Sequence, residues 1–217
     1  MKRIILNLLA LSLVFLLSGC TLLSKVQSGD ASNANKEISW LNDVAIKAPI
    51  NMDKEKTYIV VYQPFKYQLS LFEADQNNSL KLVAYNEGGT DSIAIFEISQ
   101  GLHTYILDAC FPATITVDAK NGYAYYITKA QAFTKQSFSQ YCSGQGKLLL
   151  ADDSPEKVKE YLCYDNYVLN PKMKNTVQNE INNSSLPAHW KERNKIIDEV
   201  KPIFNVFVKS DEGVKLD

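Results

Sequence analysis

Seven short runs between residues 57 and 129 do most to limit what this chain can fold into. They are TYIVVYQ (57–63), YQLSLFEA (67–74), SLKLVAY (79–85), SIAIFEI (92–98), LHTYILDA (102–109), ATITVDA (113–119) and YAYYITK (123–129). Each is rich in Val, Ile, Tyr, Phe or Thr, residues that fit a pleated, half-buried surface. The stretches between them, QNN, NEGGTD, QG, FP and KNG, carry turn-forming Gly, Asn, Asp and Pro. Short strands at this spacing predict an antiparallel β-sandwich, with a barrel as the other closed solution. KLLLAD (147–152) is a further strand candidate, so the expected fold is mainly β, a seven- to eight-stranded antiparallel β-sandwich. ATITVDA alternates, with Ile115 and Val117 on one face and Thr114, Thr116 and Asp118 on the other. TYIVVYQ is apolar on both faces, the pattern of a central strand covered on both sides.

The C-terminal third changes period. In DDSPEKVKEYL, Asp153 or Ser154 is placed to cap a helix, Pro155 suits its first turn, and Glu156 is favourable near its N-terminus. PAHWKERNKIIDEVKPIF (187–204) predicts a second helix with Trp190, Ile197, Val200 and Phe204 on one stripe and Pro202 disrupting its end. NPKMKNTVQNEINNSS (170–185) is polar and reads as a loose connection. The expected organisation is therefore a sandwich domain over 37–150 and an α-helical C-terminal extension over 151–217.

The chain opens with Lys2 and Arg3, then an apolar run from Ile4 to Leu17 broken by Asn7 and Ser12. That run is short for a bilayer, which needs about 20 apolar residues, and has the form of a secretory signal peptide. Leu17-Ser18-Gly19-Cys20 resembles the lipobox of bacterial lipoproteins. The resemblance implies that residues 1–19 are a cleaved leader and that Cys20 is lipidated. A diacylglycerol would sit on its sulfur and an acyl chain on its new amino terminus, which together make stable membrane attachment. Thr21 stands where an aspartate would favour inner-membrane retention, so in a Gram-negative host the resemblance implies the outer membrane, facing the periplasm. TLLSKVQSGDASNANK (21–36) completes a lipidated tether over 20–36, spanning roughly 20–25 Å as a flexible coil.

Residues 57–129 are similar to small bacterial lipoproteins of unknown function with a compact β-sandwich, and to the β-sandwiches called PEGA domains. The likeness rests on Gly101-Leu102-His103-Thr104-Tyr105 and on Gly122 followed by Tyr125 and Tyr126. It covers about a third of the chain and implies a scaffold, with glycines for turns and tyrosines for packing. No catalytic residue carries over.

The formal net charge is −1, and loss of Lys2 and Arg3 with the leader makes it −3. With no cluster of Lys and Arg, nucleic acid and a polybasic grip on anionic lipid are both disfavoured. Cys110, Cys142 and Cys163 remain beside Cys20, enough for one disulfide and a spare thiol in an exported chain. Cys142–Cys163 is the preferred pair, because both lie among polar, turn-like segments. Cys110–Cys142 and Cys110–Cys163 stay open.

Candidate chemistry is sparse. On a strand His103 shares a face with Tyr105 and Leu107 and points away from Asp108 and Cys110, which disfavours a local His/Asp/Cys site. His189 precedes Trp190 near a helix start. No nucleophile elbow, zinc-protease motif, P-loop or dinucleotide fingerprint is present, and DDSPE (152–156) lacks the spacing of a calcium loop. Apart from the chains on Cys20, no cofactor and no metal is expected. Tyr123 and Tyr125 share a strand face, which if open is a candidate binding face for sugar rings; the other reading packs these rings in the core with their hydroxyls at its rim. The expected function is a membrane-tethered binding or accessory module with an envelope protein as partner and no catalytic activity. The alternatives are a carbohydrate- or peptidoglycan-binding lipoprotein and a thiol-dependent enzyme using the spare cysteine.

Overall fold

The structure is a computed structural model, and it describes residues 38, 41–63, 69–75, 77, 79–86, 91–107, 113–131, 146–188, 190–191 and 205–216. Twelve strands lie among the described residues: β1 (Ala45–Lys47), β2 (Thr57–Gln63), β3 (Leu69–Ala74), β4 (Leu80–Asn86), β5 (Ser92–Ile98), β6 (Gly101–Leu107), β7 (Ala113–Ala119), β8 (Tyr123–Gln131), β9 (Gly146–Leu150), β10 (Asp165–Leu169), β11 (Asn205–Val208) and β12 (Val214–Lys215). The larger sheet runs β1-β10-β5-β2-β8-β12, with β9 also on β8. The smaller runs β11-β7-β6-β3-β4. The protein is mainly β, as its sequence predicts.

The two sheets face each other across a core of Ile59, Val61, Leu71, Tyr105, Ile115, Tyr125 and Ile127. These are alternate positions on their strands, so each sheet also offers a second face. On the smaller sheet that face carries Phe72, Leu82 and Ile106, covered by Val177, Ile181 and Trp190. On the larger it carries Val60, Ile93, Ile95 and Tyr126, packed with Tyr161. Coverage on both sides explains why β2 is apolar throughout: it lies between β5 and β8 and is buried except at Tyr62.

Three expectations need correction. The sheets are mixed rather than antiparallel, because β2–β8, β10–β5 and β11–β7 are parallel pairs. Residues 151–217 are not simply a helical extension. They hold the helices α1 (Pro155–Tyr161) and α2 (Lys174–Asn183), but also β10, β11 and β12, which complete both sheets. Segments as short as DNYVL and NVFV carry too few residues to show a period, and only long-range pairing makes them strands. The stretch expected to be loose contains α2, a mostly polar helix held by Val177 and Ile181, which lie four residues apart on one face.

α1 begins as expected, with Ser154 at the N-cap position, Pro155 in the first turn and Glu156 beside it. The Ser154 side chain makes no cap bond, however; its N–H donates to Asp152 Oδ1 at 3.0 Å. Most of the helix predicted over 187–204 lies outside the described residues. Residues 186–188 and 190–191 are helical, and Trp190 is buried. Among the described residues no helix is long and apolar enough to cross a membrane.

Candidate functional site

The site is built where β10 parts from β5. β10 pairs in parallel with β5 only through Asp165↔Ser92 and Asn166↔Ile93. Residues 167–169 then pair antiparallel with β1 on the other side. Asn166 sits at the divergence. Its buried side chain accepts the Ile95 N–H at Oδ1 (3.0 Å), and its carbonyl accepts the Ala48 N–H (2.9 Å). A side-chain amide thus ends the pairing that a strand began. Beyond it, the edge of β5 faces a cleft of ≈ 420 Å³ lined by residues 95–99, by 167–169 of β10, by 81–83 of β4, and by Glu73 and His103.

The charged end of this cleft comes from three neighbouring strands. On β3, Glu73 lies opposite both Lys81 of β4 and Tyr105 of β6. His103, two residues before Tyr105, reaches it diagonally, within range of long side chains on one sheet face. His103 Nδ1 lies 2.7 Å from Glu73 Oε1. Its Nε2 lies 2.9 Å from the Ser99 carbonyl and 3.4 Å from Ser99 Oγ. The carbonyl arrives there through a tight turn: β5 ends at Ile98, β6 starts at Gly101, and Gly101 has φ +120°, a conformation that a side chain disfavours.

The partners favour the protonated form of His103. A carbonyl only accepts, so Nε2 must donate; a carboxylate accepts, so Nδ1 donates as well. Both contacts favour the doubly protonated imidazolium, which pairs with Glu73. The Glu73 hydrogen bond holds the His103 pKa above its ordinary value against the opposing effect of burial. The same bond, helped by the charges of His103 and Lys81, holds Glu73 below its own. The His103 ring stacks on Tyr105 (6.2 Å between centroids, 11° between planes), and Tyr105 meets Phe96 edge-on at 5.7 Å. The Tyr105 hydroxyl is buried without a hydrogen-bond partner among the described residues, and burial raises its pKa.

Two cleft carboxylates are therefore neutralised: Glu73 by His103, and Glu97 by Lys56 at 2.7 Å. Lys81 is exposed and makes no ion pair among the described residues. Across the β3–β4 pair from Glu73, it is the lining cation of the cleft without an ion-pair partner among the described residues.

The candidate binding face of Tyr123 and Tyr125 is corrected. Tyr125 points into the core between the sheets and is fully buried. Its hydroxyl accepts the Lys120 N–H (3.0 Å) and faces the carbonyls of Ser210 (3.0 Å) and Asp118 (3.2 Å). Tyr123 is only partly buried, with the Lys120 ammonium 5.0 Å from its ring centre. The two rings do not form an open platform. A separate aromatic group lies elsewhere, where partly buried Tyr62 packs with buried Tyr161 (4.5 Å) and stacks on partly buried Tyr164 (5.7 Å).

Cys163 is exposed, and its thiol donates to the Lys159 carbonyl at 3.3 Å. Cys20, Cys110, Cys142 and His189 lie outside the described residues, and with them the lipidation site and the expected disulfide partner. Glu73, Lys81 and Ser99 do not stand out in the sequence. One signal was there for Glu73: in LSLFEA it shares a face with Leu69 and Leu71, and a carboxylate on a core-facing stripe needs a partner. Comparison with family models, with curated proteins and with solved structures finds no match to this chain.

Proposed function

We propose that the chain is a lipid-anchored protein of the bacterial envelope whose sandwich serves a partner protein as a binding or accessory module, without catalysis. The anchor reading rests on Leu17-Ser18-Gly19-Cys20 behind a short apolar leader. The binding reading is carried by one observation, the edge of β5 recessed in a cleft beside Lys81, which makes no ion pair among the described residues. His103 adds support, since both of its ring nitrogens already face acceptors, Glu73 and the Ser99 carbonyl.

Crosslinking of intact cells that carry the tagged full-length chain tests this reading, with Cys20→Ser run alongside. Recurrent capture of one envelope protein that depends on Cys20 supports it. A Cys20→Ser chain that stays in the membrane fraction removes the anchor. Capture of nothing above background removes the partner.

One geometric feature favours a second reading. Ser99 Oγ, His103 Nε2 and Glu73 lie in the order of a serine hydrolase triad. The Ser99 carbonyl competes for the same nitrogen at the shorter distance, which argues against an activated serine. A fluorophosphonate probe decides: labelling that disappears in Ser99→Ala replaces the binding reading with a hydrolytic one.

A further inference from the structure

We infer that the seam between β5 and β10 takes up an extended peptide bearing a carboxylate, which adds as a strand to the free edge of β5. This deepens the binding-module reading and rests on it. The N–H of Ile95 points toward Asn166. Because backbone groups alternate sides along a strand, the C=O of Ile95 and the N–H and C=O of Glu97 point the same way. β5 pairs with β10 only as far as Ile93, so these groups face the cleft with no strand paired to them among the described residues. An unpaired strand edge is a template for another chain, and an extended peptide is the ligand whose backbone repeats at the matching interval.

Length and charge narrow the choice. From Ile95 to Ile98, where β5 ends, the edge runs about 10 Å, room for three or four extended residues. Leu82, Phe96 and Leu169 give the cleft apolar walls suited to alternate side chains of such a segment. Glu73 and Glu97 already have cationic partners, leaving Lys81 as the group that selects charge. A peptide with Asp, Glu or a terminal carboxylate near Lys81 complements it; one with Lys or Arg there does not.

The test uses purified full-length protein in detergent micelles and a displayed library of random nine-residue peptides. Enriched peptides are expected to share an acidic position and to lack proline at their centre. A synthetic copy of the best one, followed by fluorescence anisotropy, is expected to lose about tenfold in affinity against Lys81→Gln. Against Lys81→Glu, replacing the peptide's acidic residue by Lys is expected to restore binding. N-methylation of one central peptide nitrogen is expected to abolish it, because only a strand-forming ligand needs that N–H. Lys81 is exposed, and circular dichroism of both variants confirms that they fold. Absence of enrichment, equal binding to Lys81→Gln, or indifference to N-methylation each overturns the inference. If the seam fails while cell crosslinking still captures an anchor-dependent partner, the binding-module reading stands and its surface lies elsewhere; if both fail, both readings fall.

Discussion

Glu73 and His103 meet at 2.7 Å across two paired strands, with side chains only 23% and 15% exposed. That is too sheltered for solvent to screen the pair as it would at an open surface. The pair closes the polar end of the seam, and its two pKa shifts have opposite consequences for stability. His103 is raised from 6.5, so its contribution is complete below about that pH and is lost as pH rises through the folded value. Glu73 is lowered from 4.5, so its contribution is complete above about that pH and is lost as pH falls through the folded value. Between the ordinary values of 4.5 and 6.5 both are present. The melting midpoint is expected to be highest in this window and to fall on the alkaline side as His103 deprotonates. Glu73→Gln is expected to flatten the alkaline fall and to cost about 1–3 kcal/mol at pH 6. Melting curves across the pH range check this, and an unchanged alkaline slope in Glu73→Gln would show that another group is responsible.

Gly213 and Tyr125 make a second close contact. A Cβ on Gly213 would lie 2.7 Å from the Tyr125 ring, a fully buried side chain with no room to withdraw. Gly213→Ala is expected to destabilise the protein by about 1–3 kcal/mol through overpacking. Tyr125→Phe keeps the ring and removes the hydroxyl that joins Lys120 and Ser210; it is expected to cost about 1–2 kcal/mol. Urea unfolding of the two variants measures both. A Gly213→Ala midpoint equal to that of the parent would mean that the segment before β12 shifts freely, contrary to the packing described.

The strand pattern was legible because in most runs it is local. Residues 57–63, 92–98 and 113–119 match β2, β5 and β7 at both ends, since each is an apolar or alternating run bounded by turn residues. β10 and β11 were not legible: their five and four residues become strands through partners far along the chain. Parity placed His103 on the face of Tyr105 and Leu107, away from Asp108, but could not supply Glu73, which lies 30 residues earlier and is brought near by sheet pairing. Parity also placed Tyr123 and Tyr125 together, yet which face of β8 meets the second sheet is a tertiary fact. The ring of Tyr125 fills the core and its hydroxyl meets the chain at the rim, the packing alternative to an open face. The seam follows from β10 switching partners at Asn166, and nothing in DNYVL announces that switch.

Asn166 offers the sharpest test of how the seam is held open. Its Oδ1 satisfies the Ile95 N–H at a buried position, where an unmade bond costs about 1–3 kcal/mol. Asn166→Ala removes the acceptor while leaving its backbone bond to Ala48 possible. The variant is expected to lose that much stability, and its Ile95 amide is expected to exchange with solvent at least tenfold faster. Amides on the β2 side of β5, such as Phe96, should slow or quicken only with global stability, because their pairing with β2 does not involve Asn166. Residue-resolved hydrogen exchange by NMR separates the two. Selective acceleration at Ile95 would place Asn166 as the stop that ends β10 pairing and exposes the β5 edge. Uniform acceleration across β5 would mean that Asn166 supports the sheet as a whole, and that the cleft is shaped by the path of β10 toward β1 instead.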